Sequence, residues 1–139
     1  MKNTTKNILM IIGIFVVLNS ILAFKYFRAQ QPVVELADDS IIGQGSPVLL
    51  ELGSHGCIPC DKMAPILGEL STEQTSFKVS FVDVRIVEGK YEQYNIELIP
   101  TQIFFDPDGK ELFRHIGFYP KEDILAKWEE LGIDIKPAL

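Results

Sequence analysis

The sequence predicts a single α/β domain, a central mixed β-sheet flanked by helices, preceded by an N-terminal transmembrane helix. Three observations point to it. Val48-Leu49-Leu50-Glu51-Leu52 has the length and apolar content of a strand buried on both faces. A helical pattern follows from Cys57, and further strand candidates end in a hairpin, so parallel and antiparallel neighbours share one sheet. Ahead of the domain, Ile8 to Phe24 is a 17-residue apolar stretch broken only by Gly13, Asn19 and Ser20.

That stretch has Lys2 and Lys6 before it and Lys25 after it. At the helical rise, Ile8 to Phe27 would span about 30 Å, the hydrocarbon thickness of a bilayer. A cleaved signal would have a shorter apolar region and a small-x-small site, which Ile21-Leu22-Ala23 matches poorly, so an uncleaved anchor over 1–28 is expected. The basic amino end is expected in the cytoplasm. This makes the chain a single-pass protein of the cytoplasmic (inner) membrane with its domain, 33–139, outside, after a short linker, 29–32. Of 13 basic and 19 acidic side chains, Lys2, Lys6, Lys25 and Arg28 precede residue 29 and no acid does, which leaves nine against nineteen beyond it. So acidic a surface argues against nucleic acid as a partner.

Within the domain, Val33 to Leu36 is a short strand candidate, Asp38-Asp39-Ser40 a helix start or turn, and Gly43 to Pro47 a loop. After the Val48 to Leu52 strand, a helix is expected from Cys57 to about Leu70, kinked at Pro65, with Met63, Ile66, Leu67 and Leu70 on its apolar face. Phe77 to Val84 is the next strand and Glu88 to Tyr94 a short polar helix. Gln102 to Phe105 and Glu111 to Ile116 are the arms of a hairpin turned by Asp106-Pro107-Asp108-Gly109. Pro120 suits the first turn of a last helix, whose Ile124, Leu125, Trp128 and Leu131 form one face. The order is β-α-β-α-β-β-α.

The chain has two cysteines, both in Cys57-Ile58-Pro59-Cys60. Thiols three positions apart at a helix start can close a disulfide within one turn. Unpaired amides there stabilise a thiolate, bringing a pKa from about 8.5 to as low as ~3.5–7.5. Cys57 is then the attacking sulfur and Cys60 the resolving one. A zinc site would need two more ligands, and His55 and His115, sixty residues apart, fit no zinc-finger spacing. No metal site is assigned. His55 either adds positive charge near Cys57 or is a solvated loop residue, and His115 is given no role.

The segment VLLELGSHGCIPCDKMAPILGEL over 48–70, Ile99-Pro100-Thr101, and 104–117 with its Asp108-Gly109 turn together resemble the thioredoxin family across nearly the whole domain. The resemblance implies a thioredoxin-like fold and thiol-disulfide oxidoreductase activity, with no cofactor beyond the Cys57–Cys60 couple. It implies that Glu51, six residues before Cys57, stands where thioredoxins bury an acid beneath the disulfide, and would take the Cys60 proton. It implies a cis Pro100 beside Cys57, with Ile58, Pro59, Ile99, Thr101 and Gly117 along a groove for an extended substrate segment. Where the family has aromatic residues and a lysine, this chain has Gly53, Gly56 and Phe81. The glycines predict a more open rim, and the missing cation predicts a still higher Glu51 pKa. The partners implied are protein disulfides and an integral-membrane thiol transporter that supplies electrons, with reduction as the direction. A dithiol oxidase is the alternative within the class, although 60–100 leaves little room for the helical insertion such oxidases usually carry. A copper carrier using the cysteine pair is the alternative outside it.

Overall fold

β1, Val48–Gly53, is buried at all six positions, as a run apolar on both sides of the pleat requires. In the computed structural model, which describes residues 10, 13–23 and 39–136, β1 lies inside a four-stranded mixed sheet. β2 (Lys78–Asp83) pairs parallel to it on one side and β3 (Thr101–Phe105) antiparallel on the other. β4 (Glu111–Ile116) pairs antiparallel to β3, giving the order β2-β1-β3-β4. The helices α1 (Ile58–Glu73), α2 (Lys90–Gln93) and α3 (Lys121–Glu130) occupy the connections and the carboxyl end.

Alternation along the strands divides the core in two. Leu49 and Phe104 face α1 and α3, packing with Met63, Leu67, Leu70, Phe77, Ile124 and Trp128. Val48, Leu50, Leu52, Val82 and Ile103 face the other way, where Ile41, Ile42, Val87 and Tyr94 pack against them. The α1 stripe of Cys60, Met63, Leu67 and Leu70 has helical spacing. Pro65 withholds an N–H from that helix, yet α1 runs one turn past Leu70 to Glu73. Trp128 is fully buried, its ring 4.9 Å from Phe77 and 4.6 Å from Phe104.

The hairpin turn is built by Asp106, whose Oδ1 accepts the amides of Asp108 and Lys110 at 3.0 and 2.8 Å. A register slip between Phe104 and Phe105 marks a bulge where the arms meet that turn. Several bounds differ from expectation. β2 is one residue shorter at each end, β3 gains Thr101, and Pro120 is the N-cap of α3 rather than its first residue. α2 shrinks to four residues because Gly89, at φ +78, is not helical and Tyr94 already leaves the helix. The Asp38 to Ser40 segment contributes a 3-10 turn at Asp39–Ile41.

Residues 13–23 are helical. Asn19 and Ser20 return their side chains to the carbonyls of Phe15 and Val16 at 2.8 and 2.9 Å, so the polar breaks in the apolar stretch are satisfied within the helix. Among the described residues, no helix is long and apolar enough to cross a membrane, and the expected transmembrane helix is not shown. The ends of that span, the 29–32 linker and the Val33 to Leu36 strand lie outside the described residues.

Trp128→Ala removes the largest buried side chain between α3 and the sheet. It is expected to lower unfolding stability by about 3–5 kcal/mol, measured by denaturant titration.

Candidate redox-active site

The site forms where β1 ends and α1 begins. Gly56 adopts φ +77, a left-handed conformation that turns the chain into the helix. Cys57 follows as the N-cap, extended and without a side-chain cap. Its carbonyl accepts the first helical bond, from Asp61 N–H at 2.8 Å. The amides of Ile58 and Cys60 in that first turn have no carbonyl four residues back within the helix, and Pro59 has no amide to offer. The helix end therefore favours negative charge at Cys57 Sγ.

Cys57 and Cys60 are joined by a disulfide, with 5.2 Å between their Cα atoms. Cys57 is half-buried and Cys60 only 6% exposed. An incoming sulfur reaches Cys57 more readily, which separates an attacking from a resolving position. Cys60 presses onto Gly53, where a Cβ would lie 3.4 Å from both Cys60 Sγ and Cys60 Cβ and 3.1 Å from Phe81 Cε2. Gly53 does not open the rim, as the sequence suggested. It is buried beneath Cys60, with the Phe81 ring beside it. Gly56 is exposed and has open space around it.

Two residues before Gly53, on the same face of β1, Glu51 is fully buried. Burial pushes its carboxyl up to about 8, against the opposing effect of a hydrogen bond from Gln102. That bond runs from Gln102 Nε2 to Glu51 Oε2 at 2.8 Å, across the β1–β3 register pair. Phe81 is the register partner on β2, so that strand places no cation opposite the acid. Glu51 Oε1 and Gln102 Oε1 are buried without a hydrogen-bond partner among the described residues.

The Ile99–Pro100 peptide bond is cis and Pro100 is buried. Pro100 O accepts the amide of Gly117, at φ +101, over 2.8 Å. This ties the start of β3 to the end of β4. Thr101 is buried with its hydroxyl on Leu98 O at 2.7 Å, and Ile99 packs into the core on the α2 side of the sheet. Neither side chain is displayed as fully as Ile58, which is 74% exposed. Pro59 is half-buried in the first turn of α1. The exposed apolar residues Leu98 and Phe118, next to the Pro100 loop and Gly117, were not singled out from sequence.

Asp83 was also missed. Its buried carboxylate accepts His55 N–H at 3.1 Å and Arg85 N–H at 2.9 Å, pinning the loop before Cys57 to the end of β2. No sequence pattern marks such a bond to a backbone 28 residues away. The His55 ring lies 5.8 Å from Phe81 on an exposed loop residue. His115 stacks on Tyr119 at 4.0 Å, its Nε2 3.2 Å from Phe118 O. Among the described residues, no group of three or more His, Cys, Asp or Glu side chains is arranged to hold a metal.

A family model described as Thioredoxin-like domain matches residues 34–132. The chain belongs to the thioredoxin family. It is 33% identical over 87 residues to Thioredoxin C-2 of Corynebacterium nephridii, covering 62% of this chain and 80% of that protein. It is 31% identical over 86 residues to a thioredoxin of Mycoplasmoides gallisepticum, covering 62% and 85%. A single-site mutant of thioredoxin from Halobacterium salinarum NRC-1 shares the fold, with a TM-score of 0.60 at 24% identity over 71% of this chain and 85% of that one. The protein is thus a thioredoxin-like thiol-disulfide oxidoreductase whose redox pair is Cys57–Cys60.

The buried acid has a consequence for stability. Glu51 titrates near 4.5 in the unfolded chain and near 8 in the fold, so between these values the native state holds a proton that the unfolded state has released. The contribution is fully present below pH 4.5, falls as pH rises, and is lost once pH passes about 8. At about 1.4 kcal/mol per unit, it is on the order of 5 kcal/mol. Denaturant titrations of the oxidised protein at a series of pH values are expected to show this decline, and Glu51→Gln to remove most of it.

Proposed function

We propose that this thioredoxin-family protein is a membrane-anchored reductase of protein disulfides acting outside the cytoplasmic membrane. The observation that carries the reading is the asymmetry of the redox pair, with Cys57 half-buried at a helix N-terminus and Cys60 shielded beneath it on the Glu51 face of the sheet. In the reduced protein, Cys57 thiolate attacks one sulfur of a substrate disulfide. The substrate S–S bond breaks, one substrate sulfur leaves as a thiolate, and a mixed disulfide forms. Cys60 gives its proton to the ionised form of the Glu51 carboxyl and attacks Cys57 Sγ. The mixed disulfide breaks, the second substrate thiolate leaves, and the Cys57–Cys60 disulfide closes. Two electrons pass to the substrate, and a dithiol donor must return them to the pair.

For a domain outside the cytoplasm, that donor is an integral-membrane thiol transporter. The anchor rests on the apolar stretch with its flanking lysines and on the Asn19 and Ser20 side chains satisfied by their own helix. Reduction is supported by the short path from α1 to β3, where the regular elements are β2 and the four-residue α2. This leaves little room for the helical insertion that dithiol oxidases usually carry. The substrate segment is placed along the Pro100 loop and Gly117, with Ile58 as an apolar contact. No cofactor beyond the cysteine pair takes part in the exchange.

Cys57→Ser is expected to abolish reduction of a protein disulfide, and Cys60→Ser to accumulate a mixed disulfide visible on non-reducing gels. Unchanged turnover in both variants would sink the reading. Redox titration of the full chain is expected near −270 mV, about thioredoxin's value, whereas about −120 mV would mark an oxidant. Alkaline carbonate washing is expected to leave the chain in the membrane fraction, and release would overturn the anchor.

A further inference from the structure

On the face of the sheet beneath Cys60, β1 and β3 bury two polar side chains side by side, Glu51 and Gln102, both fully inaccessible. The exchange chemistry uses the acid and leaves the amide unassigned. An amide at a fully buried β3 position needs a partner, because an unpaired one is unfavourable where an aliphatic residue of similar volume is not. Its partner is specific: Gln102 Nε2 reaches Glu51 Oε2 at 2.8 Å, while Glu51 Oε1 has no partner among the described residues. The two carboxyl oxygens are thus unequal.

We propose that Gln102 is the positioning residue of the resolving step: by donating its amide to Glu51 Oε2, it holds the carboxyl so that Oε1 takes the proton from Cys60 and later returns it. An oxygen that already accepts an N–H is the carbonyl oxygen of the neutral acid, which leaves the hydroxyl on Oε1. When the proton leaves, the same N–H stabilises the carboxylate. One amide therefore serves both states without changing place. The transfer balances from the ionised carboxylate, after Oε1 has released its own proton: Cys60 Sγ loses its proton to Oε1 and bonds to Cys57 Sγ, and the substrate thiolate departs from Cys57.

The surroundings leave this role to Gln102. β2 contributes Phe81 on this face and, two residues on, the buried Asp83, register partner of Gly53, whose carboxylate already accepts the His55 and Arg85 amides; α1 contributes Cys60 and Met63. Asp61 and Lys62 on α1 are exposed. On β4, the register partner of Gln102 is His115, which is stacked on Tyr119, and Tyr119 is the titratable group bonded to Met63 Sδ through its own amide. Tyr119, Ile124 and Trp128 complete the packing from the α3 side.

The inference rests on the proposed role of Glu51, and two measurements on the full-length chain separate them. Carbon NMR of the Glu51 carboxyl and nitrogen NMR of the Gln102 side-chain amide are expected to titrate together, with a midpoint near 8. An amide resonance that stays flat through the Glu51 titration overturns the proposal, and this needs no variant. Gln102→Met keeps the volume and removes the donor. It is expected to raise the Glu51 midpoint, and with it the inflection in the pH profile of mixed-disulfide resolution, by about one unit. A folded Gln102→Met protein with both midpoints unmoved overturns the proposal. If Glu51→Gln leaves the resolution rate and its pH profile unchanged, the role of Glu51 fails and this inference with it. If Glu51→Gln abolishes the inflection and Gln102→Met does not move it, only the role of Gln102 fails.

Discussion

The close approach of Cys60 to the end of β1 governs the rest of the structure. A helix carrying its second cysteine can lie this low on a sheet only where the strand beneath has no side chain, and Gly53 supplies that absence. Any Cβ there would crowd Phe81 Cε2 at 3.1 Å and the Cys60 sulfur at 3.4 Å. Interiors packed to crystal density do not absorb such overlaps without moving neighbours. With α1 seated, its stripe of Met63, Leu67 and Leu70 lands on Leu49 and Phe104, and α3 closes over the same cluster through Ile124 and Trp128. Core packing and the position of the sulfurs are two results of one contact.

Two acids hold the segments around this contact. Asp83 accepts the His55 and Arg85 amides, so the loop leading to Cys57 is bonded to the end of β2. On the other side of the sheet, Asp39 Oδ2 is shared by Lys90, Gln93 and the Tyr94 hydroxyl, which binds the 3-10 turn to α2. Burial works against the Asp39 charge, but the Lys90 and Tyr94 hydrogen bonds, with the Lys90 charge, outweigh it and hold the carboxyl below its usual range. Burial raises Tyr94, and its hydrogen bond to Asp39 and the Asp39 charge raise it further. A four-residue helix is too short to be stable alone, and α2 is held by this cluster rather than by its own propensity.

Sequence made the periodic and punctuated parts of the fold legible. Continuous burial at Val48 to Leu52, the helical stripe after Cys57, the Asp-Gly turn and the Trp128 face each follow from local pattern, and each is present. Gly53 was misread because a glycine where the family has an aromatic side chain looks like lost cover at the rim. Its actual requirement, a sulfur pressed from above, comes from a residue seven positions away in another element. Gln102 and Asp83 were missed for a related reason. Each looks like an ordinary strand residue, and each acquires its role through register or a loop closure between distant segments. The acid itself was legible because one carboxyl inside an apolar run is a local anomaly.

The replacement of a cation by Phe81 changes what that acid can do. A lysine beside a buried carboxylate would stabilise its charge and keep it ionised at neutral pH. An aromatic ring stabilises no anion, so burial dominates and the carboxyl is lifted to about 8. At that value the neutral acid prevails near pH 7, yet the carboxylate is close in free energy, since each pH unit is worth only about 1.4 kcal/mol. A group exchanging a proton with a thiol works best when its pKa lies near that of the thiol and the operating pH. Gln102 tempers the lift without reversing it, because a neutral amide lowers the free energy of the carboxylate less than a full charge would. The apolar ring and the single amide together set how far burial lifts the acid.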